Sequence, residues 1–179
     1  MDETLRKRMD QNGIIVITSG LDSNYTNDII LCLLNWDSKN PEKELKFYIS
    51  CASNDYLNII TIYDVMQSIR NPISGYAIGL VSGCATLLLA GCNKGKRYAL
   101  RNTEIGLNEI TGIISNGVNQ ETEIEIVSRE TTIQKHTFEE LLAKHTGQPL
   151  DVIEKDCKNE KTLSAEEAIK YGLIDKISE

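Results

Sequence analysis

The stretch Gly75-Tyr76-Ala77-Ile78-Gly79-Leu80, running through Val81-Ser82-Gly83-Cys84 into Ala85-Thr86-Leu87-Leu88-Leu89-Ala90-Gly91-Cys92, decides the fold. Gly75 to Leu80 reads as a strand, and Ser82 to Cys92 as a compact helix that is almost wholly apolar. A helix with no polar side is one buried on every side. Strand, tight turn and buried helix in succession make the first half of a βαβ unit. Such a turn is also where α/β folds present a nucleophile, with the helix N-terminus offering positive potential to an oxyanion.

Upstream, Ile14-Ile15-Val16-Ile17 is a β-branched run bounded by Gly13 and Ser19-Gly20, the pattern of a buried strand. Asn24 to Asn27 offers N-cap chemistry to a helix carrying Ile29, Ile30, Leu33 and Leu34, which Asn40-Pro41 breaks. Leu45 to Ile49 is the next strand. Ile59, Ile62, Tyr63, Met66 and Ile69 then share one face of a helix that starts from Asp55 and stops at Asn71-Pro72. Downstream, Tyr98 to Leu100 and Ile105 to Asn108 are further strand candidates. The repetition predicts an α/β fold with right-handed crossovers.

Gly112 to Gln120 (GIISNGVNQ) reads as a loop, and Thr122 to Lys144 as a long, heavily charged helix. Its apolar residues Ile126, Ile133, Phe138, Leu141 and Leu142 can bury only a narrow stripe, so the helix lies over the domain or projects toward a partner. Gly147 fits the C′ position after it. Ser164 and Glu167 have capping-box spacing and open a last helix that closes near Tyr171-Gly172. With no repeat, linker or low-complexity tract, residues 1–179 read as one domain, with residues 1–12 as an N-terminal segment.

The 179 residues are 41% hydrophobic and 25% charged, which argues against disordered, collagenous and coiled-coil classes. A net charge of −7, with no basic cluster longer than Arg6-Lys7-Arg8, argues against nucleic acid or an anionic membrane as partner. No apolar run approaches the roughly 18 residues of a membrane span, and the first residues lack a signal peptide's apolar stretch. The five cysteines, with no CxxC pair, read as reduced core thiols. With His136 and His145 as the only histidines, neither a metal nor a cofactor is implied. Lys94-Gly95-Lys96-Arg97 lacks the P-loop pattern and reads as a solvated turn pairing with a neighbouring subunit. Glu121, Glu123 and Glu125 read as a solvated face, and Trp36 as packing.

Several segments in one order carry a resemblance. They are Pro41-Glu42-Lys43, Ile62-Tyr63-Asp64-Val65-Met66-Gln67, Ile78-Gly79, Lys94-Gly95-Lys96-Arg97-Tyr98-Ala99-Leu100, Thr122-Glu123-Ile124-Glu125-Ile126, His145-Thr146-Gly147-Gln148-Pro149-Leu150, Ser164-Ala165-Glu166-Glu167-Ala168 and Tyr171-Gly172-Leu173-Ile174-Asp175. From about Gly13 to Ile177 the chain resembles the proteolytic subunit of the Clp protease (ClpP), apart from a small insertion around Ile113 to Gln120. The resemblance implies a ClpP/crotonase-like spiral of βαβ units with a protruding handle, here about residues 112–146, that zips two seven-membered rings together. It also implies a serine protease triad, and there the chain departs from the family. The nucleophile position falls on Gly83, the base on Asn108 and the acid on Glu160. Glycine has no nucleophile, and an amide cannot take up a proton near neutral pH. Glu160 keeps a carboxylate whose task was to orient a base that is absent. Ser50-Cys51-Ala52-Ser53-Asn54-Asp55 stands where the family's Gly-Gly shapes the oxyanion hole and substrate strand.

The pattern resembles the non-catalytic ClpR type of subunit found in plastids and cyanobacteria. Two alternatives remain open: a peptidase with a displaced nucleophile, Ser82 or Cys84, and a crotonase-like acyl-CoA enzyme. Ser82 otherwise reads as a helix N-cap and Cys84 as a small core residue. The partners implied are further copies in a heptameric ring, active Clp proteolytic subunits and an AAA+ unfoldase. Tyr48 matches an aromatic of the family's unfoldase pocket, whereas Lys46 and Ser68 stand where it carries aromatics, which implies a weakened dock. The insertion puts ring stacking in question. The abundance of Ile, Asn and Lys resembles proteins from AT-rich genomes. With the ClpR-like pattern it suggests a plastid stroma (apicoplast or chloroplast) after removal of a transit peptide, with the cytoplasm as the alternative.

Overall fold

A computed structural model describes residues 8–9, 11–18, 21–110 and 121–178, with side chains from 125 onward in the last segment. The Gly112 to Gln120 loop, most of the N-terminal segment and the Ser19-Gly20 boundary lie outside the described residues. β1 (Ile14–Thr18), β2 (Leu45–Ser50), β4 (Ile73–Ala77), β6 (Arg97–Leu100) and β9 (Lys176–Ser178) form a five-stranded parallel sheet in the order β1-β2-β4-β6-β9. A second sheet has the order β3-β5-β7-β8, from β3 (Ala52–Ser53), β5 (Leu80–Gly83), β7 (Glu104–Gly106) and β8 (Thr162–Ser164). Only β7 and β8 pair antiparallel.

The two sheets arise from a repeated unit. β2 hands on to β3 and then to helix α2 (Tyr56–Ser68); β4 hands on to β5 and then to helix α3 (Ala85–Ala90). Each turn of the spiral is thus a strand in the first sheet, a short strand in the second, and a helix returning to the first. Helix α1 (Ser23–Lys39) supplies the first crossover, between β1 and β2.

One expectation is corrected here. The single strand expected from Gly75 to Leu80 is two strands, one in each sheet. Gly79 adopts φ +66 between them, a conformation a side chain disfavours. The Thr103 hydroxyl donates to the Ala77 carbonyl at 3.0 Å where β4 stops. The chain then turns out of the first sheet, and residues 80–83 pair with β3 on one side and β7 on the other. Helix α3 accordingly starts at Ala85 and spans six residues, all buried.

Leu45, Phe47 and Ile49 of β2 are fully buried while Lys46 and Tyr48 are half-exposed, the alternation of a sheet with one covered face. Asp22 caps α1 by accepting from the Tyr25 amide, so the cap lies two residues before the expected Asn24. Asp55 caps α2 in the same way through Asn58. The handle helix α4 (Glu121–Thr146) buries Phe138 and Leu142 near its C-terminal end, whereas Ile126 and Ile133 are 56% and 58% exposed. Helix α5 (Leu150–Lys158) follows. Helix α6 (Ala165–Tyr171) has the full Ser164–Glu167 capping box and ends on Gly172 at φ +92. None of the five cysteines is in a disulfide; Cys51, Cys84, Cys92 and Cys157 are buried and Cys32 is half-buried.

Candidate functional site

β5 ends at Gly83 with φ +65, and one residue later α3 begins. A sharp strand-to-helix turn of this kind is the backbone of a nucleophile elbow. The elbow is present and the side chain is not. A Cβ placed on Gly83 would lie 2.6 Å from the Ser53 carbonyl oxygen and 2.1 Å from Asn54 Oδ1. These neighbours are held in place: β3 pairs in parallel with β5, Ser53 against Gly83. The Asp55 amide donates to Ser53 Oγ at 3.2 Å, and Asp55 in turn caps α2. Asn54 gave no local signal in the sequence; its position over the elbow follows from that long-range strand pairing.

Asn108, which the resemblance aligns with the family's base, lies just past β7 and is half-buried. Its Oδ1 accepts from the Gly83 amide at 3.1 Å, so the structure joins two of the three residues that the resemblance aligns with the triad. That bond ties the elbow to β7 but provides no group able to take a proton. Glu160 is exposed at φ +49 in the turn after α5. The Leu107 amide donates to the Lys161 carbonyl at 2.8 Å, which lays that turn beside the segment carrying Asn108. Among the described residues, no hydrogen bond or ion pair engages the Glu160 carboxylate. Nearby Asp156 is occupied structurally, accepting from Tyr171 Oη and Lys161 Nζ, each at 2.9 Å.

Ser82 is not a helix N-cap. It lies within β5, because pairing on both sides carries the strand on to Gly83. The N-cap position falls on Cys84, which makes no capping bond with its side chain. As expected, Cys84 is a core residue, and burial pushes its thiol up to about 12, leaving no thiolate near neutral pH. His136 stands 3.3 Å from Glu140 on α4. His145 shares a 2.7 Å hydrogen bond with Tyr63 Oη, and burial, then Lys144 and Arg97, hold its imidazole below the usual range. Neither imidazole is bonded to Gly83 or Asn108 among the described residues.

The Lys94 to Arg97 turn is solvated at Lys94 and Gly95, as expected, but not at Arg97. Arg97 is only 4% exposed; it pairs with Asp175 at 2.7 Å and donates to the carbonyls of His145 and Gly172. Lys96 pairs with Glu44 at 2.5 Å. Trp36 is buried as expected, its indole N–H donating to the Lys43 carbonyl.

The outer face of the first sheet carries more than the sequence reading assigned. Tyr48, Tyr76 and Tyr98 occupy matched positions on β2, β4 and β6 and stack with ring centroids 4.9 and 4.8 Å apart. Lys46 lies on the same strand and face as Tyr48. Ser68 closes α2, its hydroxyl donating to the Val65 carbonyl, and no hydrogen bond or ring contact joins it to the other two among the described residues. Tyr76 and Tyr98 could have been found only by knowing the strand register. Among the described residues, no three His, Cys, Asp or Glu side chains gather as a metal cluster, and no helix is long and apolar enough to cross a membrane.

The family model for Clp protease matches residues 2–179, which include both sheets, the elbow and the handle helix. Its members are serine proteases that form oligomeric rings with Clp ATPases. A match of this extent, on a spiral that keeps the elbow, shows that the chain belongs to the Clp protease family as a ClpP-like proteolytic-core subunit.

Proposed function

We propose that the chain is a non-catalytic, ClpR-type subunit that forms or completes a heptameric ring of the proteolytic core without cutting peptide bonds itself. One observation carries this reading. The space a nucleophile's side chain needs at Gly83 is taken by Ser53 and Asn54, in an elbow whose base position holds an amide bonded to Gly83. Nucleophilic catalysis requires both an attacking group and a base within reach of it. The displaced-nucleophile alternative loses support from Cys84, which is buried with a raised pKa, and from the absence, among the described residues, of an imidazole bonded at the elbow. The tyrosine face of the first sheet is the surface assigned to an unfoldase loop, with Lys46 and Ser68 weakening it. A plastid stroma is the compartment assigned.

Peptide hydrolysis and fluorophosphonate labelling of the purified chain test the reading. The expected result is neither turnover nor label. Hydrolysis that disappears on Ser82→Ala or Cys84→Ala would establish a displaced nucleophile instead, and thermal protection by coenzyme A would favour the acyl-CoA enzyme.

A further inference from the structure

Glu139 is a buried carboxyl that the elbow does not use. It sits on α4, 3% exposed, and its Oε1 has no hydrogen-bond partner among the described residues. Burial pushes the carboxyl up, against the pull of Lys135. A buried acceptor left unmatched costs stability, so its persistence calls for a donor from outside the chain. Glu139 lines a groove of about 630 Å³ between α4 and α5, and charges of both signs line it with Glu139. On α4 the nearby cations are engaged: Lys135 bonds Glu109, and His136 stands 3.3 Å from Glu140. On α5, Asp151, Glu154, Lys155 and Lys158 are exposed, and no ion pair engages them among the described residues.

Glu154 acts on Glu139 and adds to its negative charge, so the two carboxyls make one pole of the groove. Lys158, one helical turn from Glu154, lies about 6 Å further along α5, and Lys155 falls between them. A single metal ion does not match this spread, since no three His, Cys, Asp or Glu side chains gather around one point among the described residues. A ligand with an ammonium and a carboxylate several ångströms apart does match it. Two or three residues of peptide place their termini at that spacing, with about 3.3–3.6 Å of extended chain per residue. The ammonium also brings three donors to an oxygen that has none. We propose that the α4–α5 groove binds a short peptide, its N-terminal ammonium on Glu139 and its C-terminal carboxylate on Lys155 and Lys158. Hydrolysis of a peptide bond creates one such amino terminus and one such carboxyl terminus, so a proteolytic core makes the ligand whichever subunit cuts.

Calorimetric titration of the full chain with triglycine tests it, beside N-acetyl-triglycine, triglycine amide and spermidine. Triglycine is expected to bind saturably, and blocking either terminus to weaken it at least about tenfold. In Glu139→Gln the free and acetylated peptides should bind alike and weakly. In the paired variant Lys155→Gln, Lys158→Gln the free and amidated peptides should do so. Glu139→Gln removes a buried charge, so the thermal stability of the chain should hold or rise. Should that variant fail to fold, the exposed lysine variant and the blocked peptides carry the test. No saturable binding of triglycine at millimolar concentration overturns the proposal and leaves the Glu139 oxygen to water. Binding indifferent to acetylation overturns it as well. Spermidine binding more tightly than triglycine also overturns it, making the groove a polyamine site. None of these outcomes depends on whether the chain itself cuts peptide bonds, so the non-catalytic reading stands or falls separately.

Discussion

At the residue scale, a lost catalytic side chain can be one codon from return or closed off by its surroundings. Gly83 is closed off. Its positive φ strains any L side chain by about 1–3 kcal/mol, and a Cβ there meets a backbone carbonyl as well as a movable amide. Gly83→Ser alone is therefore expected to lower thermal stability by about that amount and to gain no hydrolysis or fluorophosphonate label. Adding Asn54→Gly makes room, and adding Asn108→His supplies a base while giving up the bond to the Gly83 amide. Activity should appear only in the combined variant. Hydrolysis by the single Gly83→Ser variant would show that a base is already in reach and would sink the non-catalytic reading. Gly83, Asn108 and Glu160 were singled out from the sequence through the resemblance, and the structure joins the first two by a hydrogen bond. Asn54 was not, since nothing in its neighbours says that β3 will lie against β5.

At the element scale, what was legible was what local chemistry dictates: the β-branched run of β1, the Ser164–Glu167 capping box, and the apolar face of α2. What was hidden depends on partners far along the chain. The bend at Gly79 makes sense only once Leu80–Gly83 has two strands to pair with, and Arg97 is buried because it pairs with Asp175, 78 residues further along the chain. That pair holds β9 and the end of α6 onto the first sheet, with Arg97 also bonding the last carbonyls of α4 and α6. Burial works to raise the Asp175 carboxyl, but bonds from the Arg97 side chain and from the backbone amides of Arg97 and Gly95 outweigh it and hold the group below its ordinary range. A carboxylate depressed in the folded state adds stability above its unfolded pKa, and this is lost as pH falls through the folded value. Urea unfolding should therefore show stability falling below about pH 4. Asp175→Ala, which strands the buried guanidinium, should remove about 3–5 kcal/mol at neutral pH and flatten that acid limb. An unchanged midpoint at pH 7 would show that the Arg97 charge is satisfied without Asp175. The tyrosine face yields a second expectation. Tyr76 stacks on both neighbours, so Tyr76→Ala breaks two ring contacts at once and should weaken unfoldase binding about tenfold. Lys46→Tyr and Ser68→Phe should strengthen binding. Affinities indifferent to all three changes would place the dock elsewhere.

At the scale of the whole molecule, the proposed reading is that the chain keeps what assembly needs and lacks what catalysis needs. The spiral and the handle helix are present and the tyrosines of the first sheet stack, while the space at Gly83 is filled. A subunit of that kind acts on a proteolytic ring by arithmetic. On the non-catalytic reading, each copy that enters removes one active site from the shared chamber without altering the sites that remain. In rings reconstituted with an active Clp proteolytic subunit at increasing ratios, kcat per ring should fall in proportion to the fraction of this chain, with KM for a short peptide unchanged. Native mass spectrometry of the same samples gives the subunit count against which the loss is read. A fall steeper than the count would mean that the chain also distorts its active neighbours. A shift in KM would mean that the elbow contributes to binding substrate for them. Rings that exclude the chain altogether, while it closes rings alone, would make it a separate inert ring whose use lies in docking or capping. Monomers and dimers at every ratio would remove the basis for assembly, because a filled elbow without a ring leaves the spiral fold with no part in proteolysis.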